Sequence, residues 1–315
     1  MRILVYGAGV IGSTLAANLS KAKKDVTVLA RGKWAQQIRD NGLVIDRQYS
    51  PFTAKAKVNV IEKLAEDDVY DVIFVVMRYT QLDSVIDVLK NNPSKNIIFV
   101  GNNLRPKAFS QRLTGRYVMF GFYLAGGHRE EDRVCSIDMK KMSIGNLKES
   151  VSNETLVKEI FGDTDIKTAY YTNMEDYLLT HAAFVIPPSF ACYHTNGDLK
   201  QLVFNKHYLN RIVEANLEAY RAIEKAGHSI LPSSERSYES FQYRRACYRM
   251  YQLMAGTKLG KVCAVDHALN ASEEMAALNN DMKAFFEENN AEYDNWKMLE
   301  AETNGWLLPP YRKEI

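Results

Sequence analysis

The chain has 315 residues, 46% of them hydrophobic and 25% charged, with 40 Lys+Arg against 38 Asp+Glu and a net charge of +2. That apolar fraction excludes wholesale disorder, and a length beyond the ~250–300 residues at which single cores stop growing points to two domains. The near balance of charge excludes a polyanion-binding surface at the level of the whole chain, so no nucleic-acid partner is expected.

The cysteines, Cys135, Cys192, Cys247 and Cys263, lie far apart and form no CxxC pair. They cannot make a zinc motif of the usual spacing, so no metal is expected. They read as small buried hydrophobes in a reducing compartment. The apolar run from Ile3 to Tyr6 is far too short for a signal-peptide core, and no stretch approaches the ~20 residues of a membrane span. A cytoplasmic protein without a membrane partner is expected.

Strand and helix signals alternate through the first half. Ile3 to Tyr6 is an unbroken apolar run, as a strand buried on both faces requires. A helix carrying Leu15, Ala16, Ala17 and Leu19 follows, then a β-branched strand at Val26–Leu29 and a helix beginning at Trp34. Val72 to Val76 and Ile97 to Val100 are further strands, with helical spacing from Asp83 to Leu89 between them. The rhythm predicts an α/β fold, a Rossmann-like, doubly wound parallel sheet. Tyr117 to Ile144 reads as short strands that extend or flank it. Beyond Tyr171 the texture becomes helical, with amphipathic stretches at 202–225, 237–254 and 265–288 and a breaker at Gly227–Pro232. The predicted domains are 1–170, dinucleotide-binding, and 171–315, an all-helical domain for substrate and dimerisation. Phe285, Phe286 and Trp296 offer surfaces for a homodimer.

Gly7-Ala8-Gly9-Val10-Ile11-Gly12 matches GxGxxG between a buried strand and a helix. Gly7 suits the tight turn, Gly9 the approach of a pyrophosphate, and Gly12 close packing of helix on strand, with the helix N-terminus facing the anion. An NAD site usually places an acid at the end of the second strand, but here the chain reads Leu29-Ala30-Arg31-Gly32-Lys33. Arg31, with its two-donor guanidinium, and Lys33 favour a 2′-phosphate, hence NADP(H). Arg78 and Gln81 follow the third main strand and Asn102 the fourth, at the edge where ligands of parallel sheets bind.

These motifs resemble those of the ketopantoate reductase family. The likeness rests on Gly7–Gly12, Leu29-Ala30-Arg31-Gly32 and Arg78-Tyr79-Thr80-Gln81, which stands for the family's Lys-aromatic-x-Gln element. Asn102-Asn103 stands at its Asn-Gly turn, and Ile144-Gly145-Asn146 and Gly227-His228-Ser229-Ile230 are similar to family segments. The resemblance implies an NADPH-binding Rossmann domain, a helical domain, and an active site in the cleft between them. It also implies a lysine that protonates the keto oxygen, an asparagine and a substrate-binding glutamate. Here Leu179 stands at the lysine position, Pro187 at the asparagine and Ala264 at the glutamate. The proton donor is therefore unassigned. Asn102 and His181 are the candidates, although His181 lies two residues past Leu179 and so nearly opposite on a helix. Arg249, near the family's substrate-binding serine, is a candidate for an anionic substrate group. The reading is an NADPH-dependent oxidoreductase reducing a small, anionic carbonyl compound other than ketopantoate; the alternative is a non-catalytic NADP(H)-binding regulator.

Overall fold

The first strand, β1 (Arg2–Tyr6), is flanked on both sides in the sheet and has Ile3, Leu4 and Val5 wholly buried. In this computed structural model, which describes residues 1–47, 53–147 and 152–309 and leaves out the side chain of Cys263, the chain divides into two compact units. One is Met1–Gly101 with Arg105–Met174, the other Asn102–Leu104 with Glu175–Ile315.

In the first unit β1 leads to α1 (Val10–Lys21), β2 (Asp25–Leu29), α2 (Gly32–Asn41), β3 (Leu43–Arg47), β4 (Thr53–Ala56), β5 (Asn59–Ile61) and β6 (Val72–Val75). A 3₁₀ turn at Tyr79–Val85 opens onto α3 (Ile86–Asn91), then β7 (Asn96–Val100), α4 (Pro106–Arg112), β8 (Tyr117–Arg129), β9 (Val134–Gly145), α5 (Glu154–Phe161) and β10 (Lys167–Tyr171). Among the described residues these strands form one sheet in the order β4-β3-β9-β8-β7-β6-β1-β2-β5, with β10 paired to β9. The pairs β2–β1, β1–β6, β6–β7 and β7–β8 are parallel, while β8–β9 and β3–β4 are antiparallel. From β1 the chain steps to β2, crosses to the far edge as β3 and β4, comes back to β5 beside β2, and then passes to β6 on the other side of β1 and on to β7 and β8. The switch point of a doubly wound sheet therefore lies between β1 and β6. The expected short strands of 117–144 are instead two long ones, bent by a register irregularity between Tyr123 and Ala125.

The far part of the sheet curls over α1, whose residues Gly12 to Leu19 are all buried. Its polar side chains are matched accordingly. Asn18 Nδ2 donates to Tyr123 Oη at 3.0 Å and to Asp138 Oδ2 at 2.8 Å, and Tyr123 Oη donates to Asp138 Oδ1 at 2.7 Å. Buried polar groups are tolerated when paired in this way.

The second unit contains α6 (Met174–His194), α7 (Lys206–Lys225), α8 (Phe241–Gly256), a single turn α9 (Lys258–Gly260), a π-helical segment Lys261–Val265, α10 (Asp266–Asn270), α11 (Ser272–Glu288) and α12 (Asp294–Ala301). Phe286 and Trp296 are fully buried and pack edge to face at 5.1 Å; they are core residues and offer no dimer surface. Cys192 and Cys247 are buried and unbridged, whereas Cys135 is only half-buried. Among the described residues no helix is long and apolar enough to cross a membrane.

Helix α6 contains Pro187-Pro188 in its interior. Proline removes the amide that would bond the carbonyl four residues back, which frees the carbonyls of Ala183 and Phe184. Asn216 of α7 reaches across to them, with Nδ2 at 2.6 Å from Ala183 O and 3.4 Å from Phe184 O. Its own Oδ1 accepts from Tyr251 Oη of α8 at 2.5 Å. Leaving such buried groups unpaired costs about 1–3 kcal/mol each. Asn216→Leu is therefore expected to lower the denaturant midpoint by the equivalent of more than about 2 kcal/mol, whereas Tyr251→Phe, which removes one bond, costs about 1 kcal/mol.

Candidate functional site

The glycine loop lies at the switch point, between the carboxyl end of β1 and the start of α1. Gly7 has φ +115°, and a Cβ there would stand 2.2 Å from Val76 O beside β6. A Cβ on Gly12 would stand 1.9 Å from Gly7 O. Gly9 differs: a Cβ there would meet nothing within 4 Å. Gly7 and Gly12 are thus glycine for packing, while Gly9 borders open space at the N-terminus of α1. Gly9 has no side chain with which to cap that terminus, so the first amides of Val10 and Ile11 suit an anion. The loop is held from behind, as Ala8 O accepts from Trp34 Nε1 at 2.8 Å and from Ser13 Oγ at 3.2 Å. The sequence contains no signal for that Trp34 anchor beyond an aromatic on α2.

Arg31 caps the N-terminus of α2 through its backbone; Arg31 and Lys33 are both exposed, and neither forms an ion pair among the described residues. Burial pushes the Tyr6 phenol above its ordinary value and the Arg31 charge pulls it back, so the guanidinium acts at the carboxyl ends of β1 and β2. One group was not legible from β2 itself. Glu62, just past β5, accepts the Gly32 N–H at 3.2 Å and pairs with Arg39 at 3.0 Å. Arg39 and that amide hold its carboxyl below the usual range. A carboxylate does stand near this edge, supplied by the neighbouring strand and already engaged by a cation of its own.

Arg78 precedes the 3₁₀ turn and Gln81 lies within it; both are exposed. Tyr79 between them is buried, and its Oη accepts from Arg105 Nε at 2.7 Å. Asn102 follows β7 and Gly101, and its Oδ1 is buried with no hydrogen-bond partner among the described residues. A buried acceptor without a partner is costly to the fold alone.

The helical unit carries the departures. Leu179 is 6% exposed, in the core of α6. Ala264, in the π-helical segment, lines a small apolar cavity of about 20 Å³ together with Pro188, Leu209, Tyr251 and Met254. His181 stacks on Tyr177 at 6.1 Å, and burial, with His267 second, pushes its imidazole down to about 3. It is neutral at pH 7 and is no imidazolium donor. Arg249 is exposed on α8 and forms no ion pair among the described residues; the burial that would oblige it to meet an anion is missing. Glu239 pairs instead with Arg221 and Arg244.

Two further segments prove structural. At Gly145 a Cβ would stand 1.8 Å from Tyr171 O, and Asn146 N donates to that carbonyl at 3.1 Å, so Ile144-Gly145-Asn146 fastens β10 to β9. Asp176, buried on α6, meets His228 Nδ1 at 2.7 Å and the Ser229 amide at 3.1 Å. Gly227–Ile230 is therefore the clamp of a loop onto α6.

Residues 3–149 match the family model of the ketopantoate reductase PanE/ApbA. An uncharacterized oxidoreductase, YkpB, of Bacillus subtilis (strain 168) is 33% identical over 93 residues, a match spanning 29% of this chain and only 29% of that protein's length. The 2-dehydropantoate 2-reductase of Geobacter metallireducens GS-15 has a TM-score of 0.80 at 16% identity, covering 96% of this chain and 99% of that one. D-mandelate dehydrogenase, in its ternary structure with NADH and anilino(oxo)acetate, has a TM-score of 0.78 at 11% identity, covering 98% of each chain. Identities this low establish a shared fold.

Because Gly12 packs against Gly7 O at the heart of the first unit, Gly12→Ala forces backbone to move. Overpacking of this kind typically costs about 1–3 kcal/mol. Thermal unfolding is expected to show a lower Tm for Gly12→Ala and an unchanged one for Gly9→Ala.

Proposed function

We propose that the chain is a divergent member of the ketopantoate reductase family, on the match over residues 3–149, and that it is an NADPH-dependent oxidoreductase that reduces a small carbonyl compound other than ketopantoate. The observation that carries this reading is the glycine loop, open only at Gly9, beside two exposed cations, Arg31 and Lys33, that no carboxylate among the described residues engages. A pyrophosphate fits the space at Gly9 and the free amides of α1. A 2′-phosphate suits Arg31 and Lys33, since Glu62 is already paired with Arg39. Arg78 and Gln81 would bind at the ends of β6 and the turn after it, and the unmet Asn102 Oδ1 would accept from an amide or hydroxyl of the bound pair. When bound, NADPH supplies the hydride.

The substrate is not ketopantoate, since the positions that the resemblance implies for proton delivery and substrate binding hold Leu179 and Ala264, one in the core and one beside an apolar cavity. No anionic group is required of it, because Arg249 is exposed. The same two residues favour the second reading, a non-catalytic NADP(H)-binding regulator. NADPH binding without turnover across a panel of ketones, aldehydes and keto acids would decide for it.

Calorimetric titration is expected to show NADPH binding more tightly than NADH. Hydrogen bonds to charged groups are worth about 1.5–3 kcal/mol, so Arg31→Ala should weaken NADPH by about 10–100-fold and NADH little. Equal affinities in the unaltered protein sink the NADP assignment. Gly9→Ala, which leaves the fold intact, is expected to lose most dinucleotide affinity, because its methyl occupies the open space. In steady-state assays with NADPH and ketopantoate, turnover is expected about 10²–10⁴-fold below the ordinary range of ~1–10³ s⁻¹, the usual loss when a positioned general acid is removed.

A further inference from the structure

The tip of the β8–β9 hairpin brings together three side chains of different chemistry. His128 is the last residue but one of β8 and Cys135 the second of β9, and the two are direct register partners. Glu130 lies in the turn between them. Its Oε1 stands 3.6 Å from His128 Nε2 and 3.5 Å from Cys135 Sγ, and all three donor atoms lie within 4.8 Å of one another. We propose that His128, Glu130 and Cys135 form a binding site for a divalent zinc-class metal ion, with its fourth position open to water.

The distances suit that ion. Zinc takes nitrogen and oxygen at about 2.0–2.1 Å and sulfur at about 2.3 Å, so the edges of its tetrahedron measure about 3.3–3.5 Å for the oxygen–nitrogen and oxygen–sulfur pairs. The two observed separations are close to those edges, leaving the His128–Cys135 edge to close by side-chain rotation. The donors are the thiolate, imidazole and carboxylate that this metal accepts. Gly127 makes the arrangement possible: it has φ +144°, and a Cβ there would stand 2.0 Å from Cys135 O. The hairpin backbones therefore close up next to the ligands. His128 and Cys135 are half-buried and Glu130 is exposed, so an ion held there keeps one face to solvent.

Two features preorganise the tip. Arg129, between His128 and Glu130, stacks over the Trp34 ring at 5.1 Å, and Asp132 O accepts from Gln37 Nε2 at 3.1 Å. Both tie the turn to α2. The neighbouring cation is occupied: Arg133 pairs with Asp46 at 3.0 Å and Asp132 at 2.7 Å, and approaches only the other oxygen of Glu130, at 3.9 Å. Burial, and then Glu130, push the Cys135 thiol up to about 11. The free protein therefore holds a thiol, and the ion takes its place on sulfur by displacing the proton to solvent.

Full-length protein, reduced and stripped of metal, is titrated with Zn²⁺ against a chromophoric chelator, and in parallel with Co²⁺. One equivalent of Zn²⁺ is expected, and Co²⁺ is expected to give a thiolate-to-metal charge-transfer band with tetrahedral d–d absorption. Cys135→Ser should abolish that band, and both it and His128→Ala should weaken Zn²⁺ by more than about 100-fold, beyond the 10–100-fold typical of outer-shell changes. Cys263→Ser should leave both signals intact. Stoichiometric binding that survives Cys135→Ser, or the absence of one bound Zn²⁺ at micromolar concentrations, overturns the proposal.

Discussion

The first unit depends on the enclosure of α1. A helix that lies on an open sheet buries one stripe and leaves the other in water. Here Gly12 to Leu19 are buried without a break, because β8, β9 and β3 curl over the face that β2 and β1 leave free. Fully buried leucines such as Leu15 and Leu19 contribute about 1.5–3 kcal/mol each. The enclosure also demands that Thr14 and Asn18 find partners inside, which they do on Val10, Ser136, Tyr123 and Asp138. Because α1 cannot rotate or slide, its N-terminus and the glycine loop are held in one place. Trp34 and Ser13 add a second constraint by fixing the carbonyl of Ala8. The loop proposed to receive the anion is thus held in place by the fold itself, an arrangement that would keep the ordering cost of binding low.

The helical unit follows a different logic. Pro187-Pro188 removes two amides from the middle of its longest helix, and Asn216 and Tyr251 carry the consequence across α7 and α8. Three helices therefore share one buried polar network at the level of Ala264 and its apolar cavity. Leu179 is buried and Ala264 lines that apolar cavity, so a polar side chain restored at either position alone would lie among apolar neighbours.

How much of this was legible follows from the range of the interactions. The glycine loop, β1, β2, β6 and β7 were legible because a buried parallel strand is a continuous apolar run and the turn chemistry is local. β4 and β5 were not, since their half-exposed residues carry no apolar run, and β3 gains its meaning only by pairing with β9 far along the chain. Glu62 escaped for the same reason: it reaches the end of β2 through strand pairing, not through sequence spacing. Arg31 was legible as a charge at a strand end; Trp34, as the anchor of Ala8, was not. The cluster at His128, Glu130 and Cys135 is invisible to cysteine spacing because it holds a single cysteine, whose fellow donors come from the facing strand and the turn.

Hydride delivery to a carbonyl leaves charge on oxygen, and that charge must be met. Leu179 offers nothing, Pro187 has no amide hydrogen, and Ala264 faces an apolar cavity. His181, neutral, can share a hydrogen bond but holds its remaining proton too tightly to release it at pH 7. Asn102 brings a carboxamide whose buried oxygen has no partner among the described residues, and a carboxamide orients a partner or stabilises charge without giving up a proton. On the proposed oxidoreductase reading, an alkoxide formed under these conditions would take its proton from water, and carbonyls flanked by an electron-withdrawing group, whose alkoxides are weakly basic, would suit it best. For the same reason the enzyme and regulator readings share every feature of the first unit. They separate only on whether a substrate needs a proton from the protein at all.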